Sequence, residues 1–269
     1  EKPEVAQGIF EHYLPRFAGD ELPTTDIGRL VGIADKLDNI AATFSRGLIP
    51  TGSQDPYALR RQAIGIINIL VDGNYHLPLL KTISAVLGLL NVPSAKNGEL
   101  LAQLQEFFVQ RVKNMMGDQG IRYDVIDAIL NEKANDDIVD LFVRAKALAE
   151  YVETSEAAES IQAFTRVVNL CKKAEGETII NESLFVEPAE KELYEVVCRL
   201  QKETIPALVA YNYADVLKLI NEVSAPVNKF FDTVMVMDKD ENVKNNRLAL
   251  LVQVKETASM VGDLSGIVK

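Results

Sequence analysis

The chain has 269 residues, 48% of them hydrophobic, enough apolar material for one large core or two smaller ones side by side. No apolar run reaches the roughly 18 to 20 uncharged residues of a membrane span, and no basic flank leads into a short apolar stretch at the start, so neither a membrane partner nor a targeting segment is expected. The formal charge of −11 excludes a surface that binds nucleic acid all over, because neutralising phosphates takes clustered Lys and Arg; DNA is not an expected partner, and any RNA contact must be local.

The first residues, which begin at Glu1 without a methionine, read as the middle of a helical domain cropped from a longer protein. Between Thr24 and Phe44, the apolar residues Ile27, Leu30, Val31, Ala34, Leu37, Ala41 and Phe44 recur at the spacing of one buried helical stripe. Thr25 or Asp26 can cap this helix and Gly47 ends it. Leu48 to Asp55 is a loop by its Pro, Gly, Ser and Asp content, after which Asp55 and Pro56 supply an N-cap and first turn for a helix to about Leu70. Further amphipathic stretches run from Leu77 to Leu90, Asn97 to Met116, Tyr123 to Leu130 and Asp136 to Tyr151.

The Glu-rich stretch Glu150 to Glu159 has little apolar periodicity, which places a domain junction there, between residues 1–155 and 156–269. Helical patterning resumes at Ile161 to Ala174, Ala189 to Lys202, Ala207 to Val223, Pro226 to Met237 and Val243 to Val261. Strand-like alternation is almost absent, so the fold is expected to be all-α. The two cysteines, Cys171 and Cys198, lack metal-type spacing and fit reduced thiols in the cytoplasm.

Four stretches together resemble one family. They are EHYLPRFAGDELP at Glu11 to Pro23 running into ADKLD at Ala34 to Asp38, GLIPTGSQDPYALRRQAIGI at Gly47 to Ile66, FTRVVNLCKK at Phe164 to Lys173, and FFDTVMVMDKDENVKNNRLALL at Phe230 to Leu251. In this order they resemble the HD-like domain, its helical continuation and the C-terminal anticodon-binding domain of the β subunit of bacterial heterotetrameric glycyl-tRNA synthetase. The resemblance implies a helical HD-like body followed by a helical-bundle anticodon-binding domain similar to that of arginyl-tRNA synthetases. It also implies a role on the anticodon arm of glycine tRNA, in an α2β2 ligase whose α subunit uses ATP and performs the aminoacylation. No cofactor is expected in this chain, and alone it should not charge tRNA.

Read residue by residue, the segment Ile161 to Ala174 has a buried side of Phe164, Val167, Val168, Cys171 and Ala174, and an opposite side of Gln162, Arg166, Asn169 and Lys173. Arg166, Asn169 and Lys173 lie three or four residues apart and align on one face. Arg and Lys can hold phosphates, and an amide can read a base edge in an unstacked loop; the same pattern also fits an ordinary solvated face. Lys133 serves as a control cation outside it. Phe230 and Phe231, of which at least one should be core, precede a charged turn that offers Lys244 and Arg247 as further RNA contacts, with Asp238, Asp240 and Glu241 nearby to compete for them.

Arg60 and Arg61, behind the Thr51-Gly52-Ser53 loop and the helix start at Asp55, form a possible anion or tRNA contact; a capped helix whose arginines pair with acids is the alternative. Asp35 resembles the last acidic position of HD-family metal hydrolases, but neither His12 nor His76 is followed by Asp, and a structural role is expected for it. No metal site is therefore assigned. The competing functional classes are a degenerate HD-type metal phosphohydrolase and a structural subunit-assembly module.

Overall fold

The computed structural model describes residues 2–131, 136–174 and 179–268. Among them there are helices and turns but no sheet. The chain forms two compact units, Glu1–Gln119 with Ala134–Phe142, and Gly120–Lys133 with Val143–Lys269. They part near residues 120 and 142, ahead of the junction expected at 155. Residues 143–155 belong with the second unit because their side chains bond into it: the Tyr151 hydroxyl donates to Asn221 Oδ1 (3.2 Å), and the Arg144 guanidinium lies 5.8 Å from the Tyr213 ring centroid.

The first unit begins with α1 (Pro3–Glu11) and α2 (Asp26–Ser45). Thr25 caps α2, its hydroxyl accepting from the Gly28 amide at 3.0 Å, and Gly47 with φ +74° closes the far end. The buried face of α2 is Gly28, Gly32, Ile33, Lys36, Leu37, Ile40, Ala41 and Phe44. Ile27, Leu30 and Val31, expected in the stripe, are exposed, as are Ala34 and Asp38. The helix is rotated because α1 approaches it at glycines: a Cβ on Gly32 would stand 3.1 Å from the His12 carbonyl, and one on Gly28 would overlap the Glu11 side chain. Lys36 reaches into this contact and donates to the His12 carbonyl at 2.8 Å; burial pushes its pKa down.

Helices α3 (Leu59–Gly73), α4 (Leu79–Leu89) and α5 (Ser94–Asp118) complete this unit, with α3 and α4 packed on α2 and α5 against all three. Asp55 is not the N-cap residue of α3 as expected, since the helix starts three residues later, after Ala58, but its side chain still reaches the first amides. Asp55 to Ala58 form a turn, Ala58 takes φ +53°, and the Asp55 carboxylate accepts from the amides of Leu59 (2.8 Å) and Arg60 (3.0 Å). An unforeseen pair, His76 Nδ1 to Asp137 Oδ2 at 2.7 Å, ties the start of α4 to Asp137, which also accepts from the Asp140 amide.

The second unit holds α6 (Tyr123–Leu130), the later part of α7 (Ile138–Val152), α8 (Ala157–Cys171), α9 (Pro188–Val209), α10 (Tyr213–Asn221), α11 (Ser224–Thr233) and α12 (Glu241–Ala258). α12 is its centre, packing on both α8 and α9, with α10 and α11 against α9. Accordingly α12 is buried nearly all round, from Asn246 through Leu251 and on to Val254, Thr257 and Ala258. α9 continues through Pro206, beyond its expected end at Lys202, and is capped at its start by a reciprocal pair of Glu187 and Glu190. The chain's last turn returns to α6, where buried Asp124 accepts from the Val268 amide at 2.8 Å and from Arg122.

Candidate nucleic-acid interface

α8 carries the candidate site. Ala157, Ser160, Ile161, Ala163, Phe164 and Val167 are buried, while Val168, Cys171 and Ala174 are half-covered. Gln162, Arg166 and Asn169 stand exposed on the other side. Lys173 is exposed too, but the helix ends at Cys171, and the Lys173 amide donates to the Leu170 carbonyl at 2.9 Å in the turn that follows. The structure therefore leaves Arg166 and Asn169 exposed on α8 and Lys173 exposed just beyond its end. It adds Lys172, whose ammonium donates to Asn169 Oδ1 at 3.0 Å.

The neighbour of this face is α11. A buried polar cluster sets the two helices together: the hydroxyls of Ser160 and Ser224 lie 2.6 Å apart, and Ser160 also donates to Asn221. Phe230 is fully buried and anchors α11, its ring 5.7 Å from that of Phe231 in an edge-on arrangement. Phe231 is half-covered, and the Arg166 guanidinium lies over it, 4.3 Å from the ring centroid. Sequence reading found Arg166 and Phe231 separately and missed their contact, because a separation of 65 positions leaves no periodic signal.

Arg247 is not a surface cation. It is 4% exposed, with Nε 2.9 Å from Glu190 Oε1 and one terminal nitrogen 2.8 Å from Asp238 Oδ2 and 2.9 Å from the Met235 carbonyl. Burial alone would push its pKa down, but the pairs with Glu190 and Asp238 outweigh this and raise it. The expected phosphate ligand is thus a structural cation joining α9, the segment after α11, and α12. Lys244 is partly covered and pairs with Glu241 at 2.5 Å, one turn back on α12.

In the first unit, the helix start at Arg60 and Arg61 does not present free amides as expected, since the Asp55 carboxylate occupies those of Leu59 and Arg60. Arg61 is exposed and donates to the Arg16 carbonyl at 3.3 Å; Arg60 is half-buried and its charge helps lower the pKa of Arg111, whose burial acts first. Asp35 stands exposed on α2, and among the described residues no three His, Cys, Asp or Glu side chains gather as a metal site would need. Lys133 lies outside the described residues. Cys171 and Cys198 form no disulfide, and burial pushes the Cys171 thiol up to about 11. Among the described residues no helix is long and apolar enough to cross a membrane.

The second unit is a helical bundle, and residues 160–268 match the family model described as the DALR anticodon binding domain. Residues 1–131 match the model described as the glycyl-tRNA synthetase beta subunit. Along its whole length the chain is 45% identical to the glycine–tRNA ligase beta subunit of Desulforamulus reducens and 46% identical to that of Clostridioides difficile. It is 39% identical to that of Moorella thermoacetica. The chain belongs to the glycyl-tRNA synthetase β-subunit family, and spans about 39% of the length of these relatives.

Proposed function

We propose that this chain is the tRNA-binding part of a glycine–tRNA ligase β subunit and that the exposed face of α8 holds the anticodon arm of glycine tRNA. Adenylate formation and aminoacyl transfer belong, in this reading, to the α subunit with its ATP, and the chain alone charges nothing. The first unit acts as scaffold toward tRNA and neighbouring domains.

The observation that carries the reading is how Arg166 is held. Several arginines of this acidic chain are neutralised by carboxylates, Arg16 by Asp20, Arg29 by Asp72, Arg122 by Asp124 and Glu153, Arg199 by Glu203 and Glu222, while Arg111 lies over the Phe107 ring, 3.8 Å from its centroid, but is half-buried in the first unit. Arg166 rests instead on the Phe231 ring. A π face orients a guanidinium without cancelling its charge, so the potential that attracts phosphate survives there. Lys172 and Lys173 extend it at the helix end, and Asn169 supplies an amide between them.

The test is a titration of the complete synthetase with glycine tRNA and an unrelated tRNA at two salt concentrations. Arg166→Ala or Lys173→Ala is expected to weaken binding and lower the salt slope by about 0.7 to 0.9 per lost phosphate contact. Asn169→Ala is expected to reduce the preference for glycine tRNA instead, by on the order of 1 to 3 kcal/mol. Lys81→Ala, exposed on α4, is the control and should change neither. If all three α8 variants bind like the parent, the face is merely solvated and the reading is wrong.

A further inference from the structure

We propose that the outer face of α2, with the flank of α1 beside it, seats a helix from another part of the same β subunit, one whose apolar stripe is bordered by Lys or Arg. α2 is apolar on two sides. Ile33, Leu37, Ile40, Ala41 and Phe44 are buried in the first unit, but Ile27, Leu30, Val31 and Ala34, at i, i+3, i+4 and i+7, are exposed, Leu30 by 59%. On α1, Val5 and Ile9 are exposed as well, Ile9 by 60%. The two groups meet where the helices touch, for a Cβ on Gly8 would stand 2.8 Å from Ile27 Cγ2. Exposed apolar residues standing singly are ordinary, but a cluster shared by two packed helices marks a contact surface.

A helix that is apolar all round belongs in an interior, as α12 does with both α8 and α9 packed on it. The first half of α2 has such a pattern with only one side covered. Ile27, Val31 and Ala34 form a row at i, i+4 and i+7, the kind of ridge against which a second helix packs. The border of the face is acidic. Glu4 stands exposed on α1, and the carboxylates of Asp35 and Asp38, exposed at the far end of the stripe, make no hydrogen bond or ion pair among the described residues. An occupant with Lys or Arg beside its apolar stripe matches both features, whereas an RNA or an acidic segment meets like charge there.

The length of the relatives favours the same polypeptide as the source. The chain spans about 39% of that length, so more of the subunit lies outside these residues than within them. A tethered helix meets the face at a high effective concentration and keeps it covered before any partner arrives. Asp35 then serves as an ion-pair partner of that helix, and the assignment stands whether or not α8 binds RNA.

The experiment places Leu30→Cys and Val31→Cys, one at a time, in the complete β subunit, alone and assembled with the α subunit. Maleimide labelling of the new cysteine is followed by peptide mass, against the same variant unfolded in urea. Both sites are expected to label at least about a hundred-fold more slowly than in the unfolded subunit, equally with and without the α subunit or tRNA and at every protein concentration. In the unmutated β subunit, which needs no substitution to fold, carbodiimide coupling should join Asp35 or Asp38 to a lysine of the same polypeptide outside these 269 residues. Labelling near the unfolded rate at both sites would overturn the proposal. So would protection that arises only with the α subunit, only with tRNA, or only at high protein concentration, the last being the mark of a second copy. Coupling of Asp35 and Asp38 solely to the α subunit in the assembled synthetase would overturn it as well.

Discussion

Arg247→Ala should destabilise the second unit without touching the proposed RNA face. Glu190 is 0% exposed and keeps only its acceptor bonds from the amides of Val186 (2.8 Å) and Glu187 (2.7 Å) once the guanidinium is gone. Breaking one side of a buried pair costs about 3 to 5 kcal/mol, because the remaining charge is left in a medium that cannot solvate it. At roughly 2 to 4 °C per kcal/mol for a unit of this size, the melting temperature should fall by roughly 6 to 20 °C. Replacing both charges, Arg247→Met with Glu190→Gln, should recover much of the loss, since no unpaired ion remains. Thermal unfolding by circular dichroism reads the stability, and filter binding below the transition reads tRNA affinity. An Arg247→Ala protein that melts like the parent yet binds tRNA more weakly, with a lower salt slope, would refute the assignment and return Arg247 to the RNA contacts.

Two further outcomes test the first unit. Burial pushes the Glu11 carboxyl up, but hydrogen bonds from Thr24, Thr25 and Gln7 outweigh it and lower its pKa from 4.5 to about 2. The stability this contributes is present above pH 4.5 and lost as pH falls toward 2; the hydrogen-exchange protection of the α1 and α2 amides, taken relative to the intrinsic rate at each pH, should fall across that window, and less so in Glu11→Gln. Gly28→Ala should destabilise by about 1 to 3 kcal/mol, since its Cβ would overlap Glu11, whereas Gly88→Ala, with open space around it in α4, should stabilise by about 0.4 to 1 kcal/mol in urea unfolding.

The helical class was legible because period-3.6 patterning runs through nearly every segment, and the caps at Thr25 and Asp55 were visible as residue types. What the pattern could not show is which face a glycine makes inward. The first half of α2 was assigned by its apolar residues, yet Gly28 and Gly32 let α1 come so close that Ile27, Leu30 and Val31 are turned outward. The same limit governs charges. A cation's burial depends on a partner that the local pattern does not contain, as with Glu190 for Arg247, 57 positions away. On α8 the exposure of Arg166, Asn169 and Lys173 was legible because a polar face opposite a clean apolar one is a local property.

These cases share one electrostatic logic. A chain with a net charge of −11 has more carboxylates than cations, so a cation free to pair will find an acid and lose its long-range field. Arg247 and Lys36 are withdrawn into the interior, on Glu190 and on a backbone carbonyl. Arg199 is bracketed by two glutamates at 2.7 Å each. On α8 the exposed Arg166 is oriented by a ring, and Lys172, just past the helix, by a neutral amide. The partial negative charge at a helix C-terminus further favours Lys172 and Lys173 where they stand, and no carboxylate among the described residues is seen to pair with them. An acidic protein can therefore hold RNA at one place, provided that aromatic and amide groups, rather than acids, position its cations there.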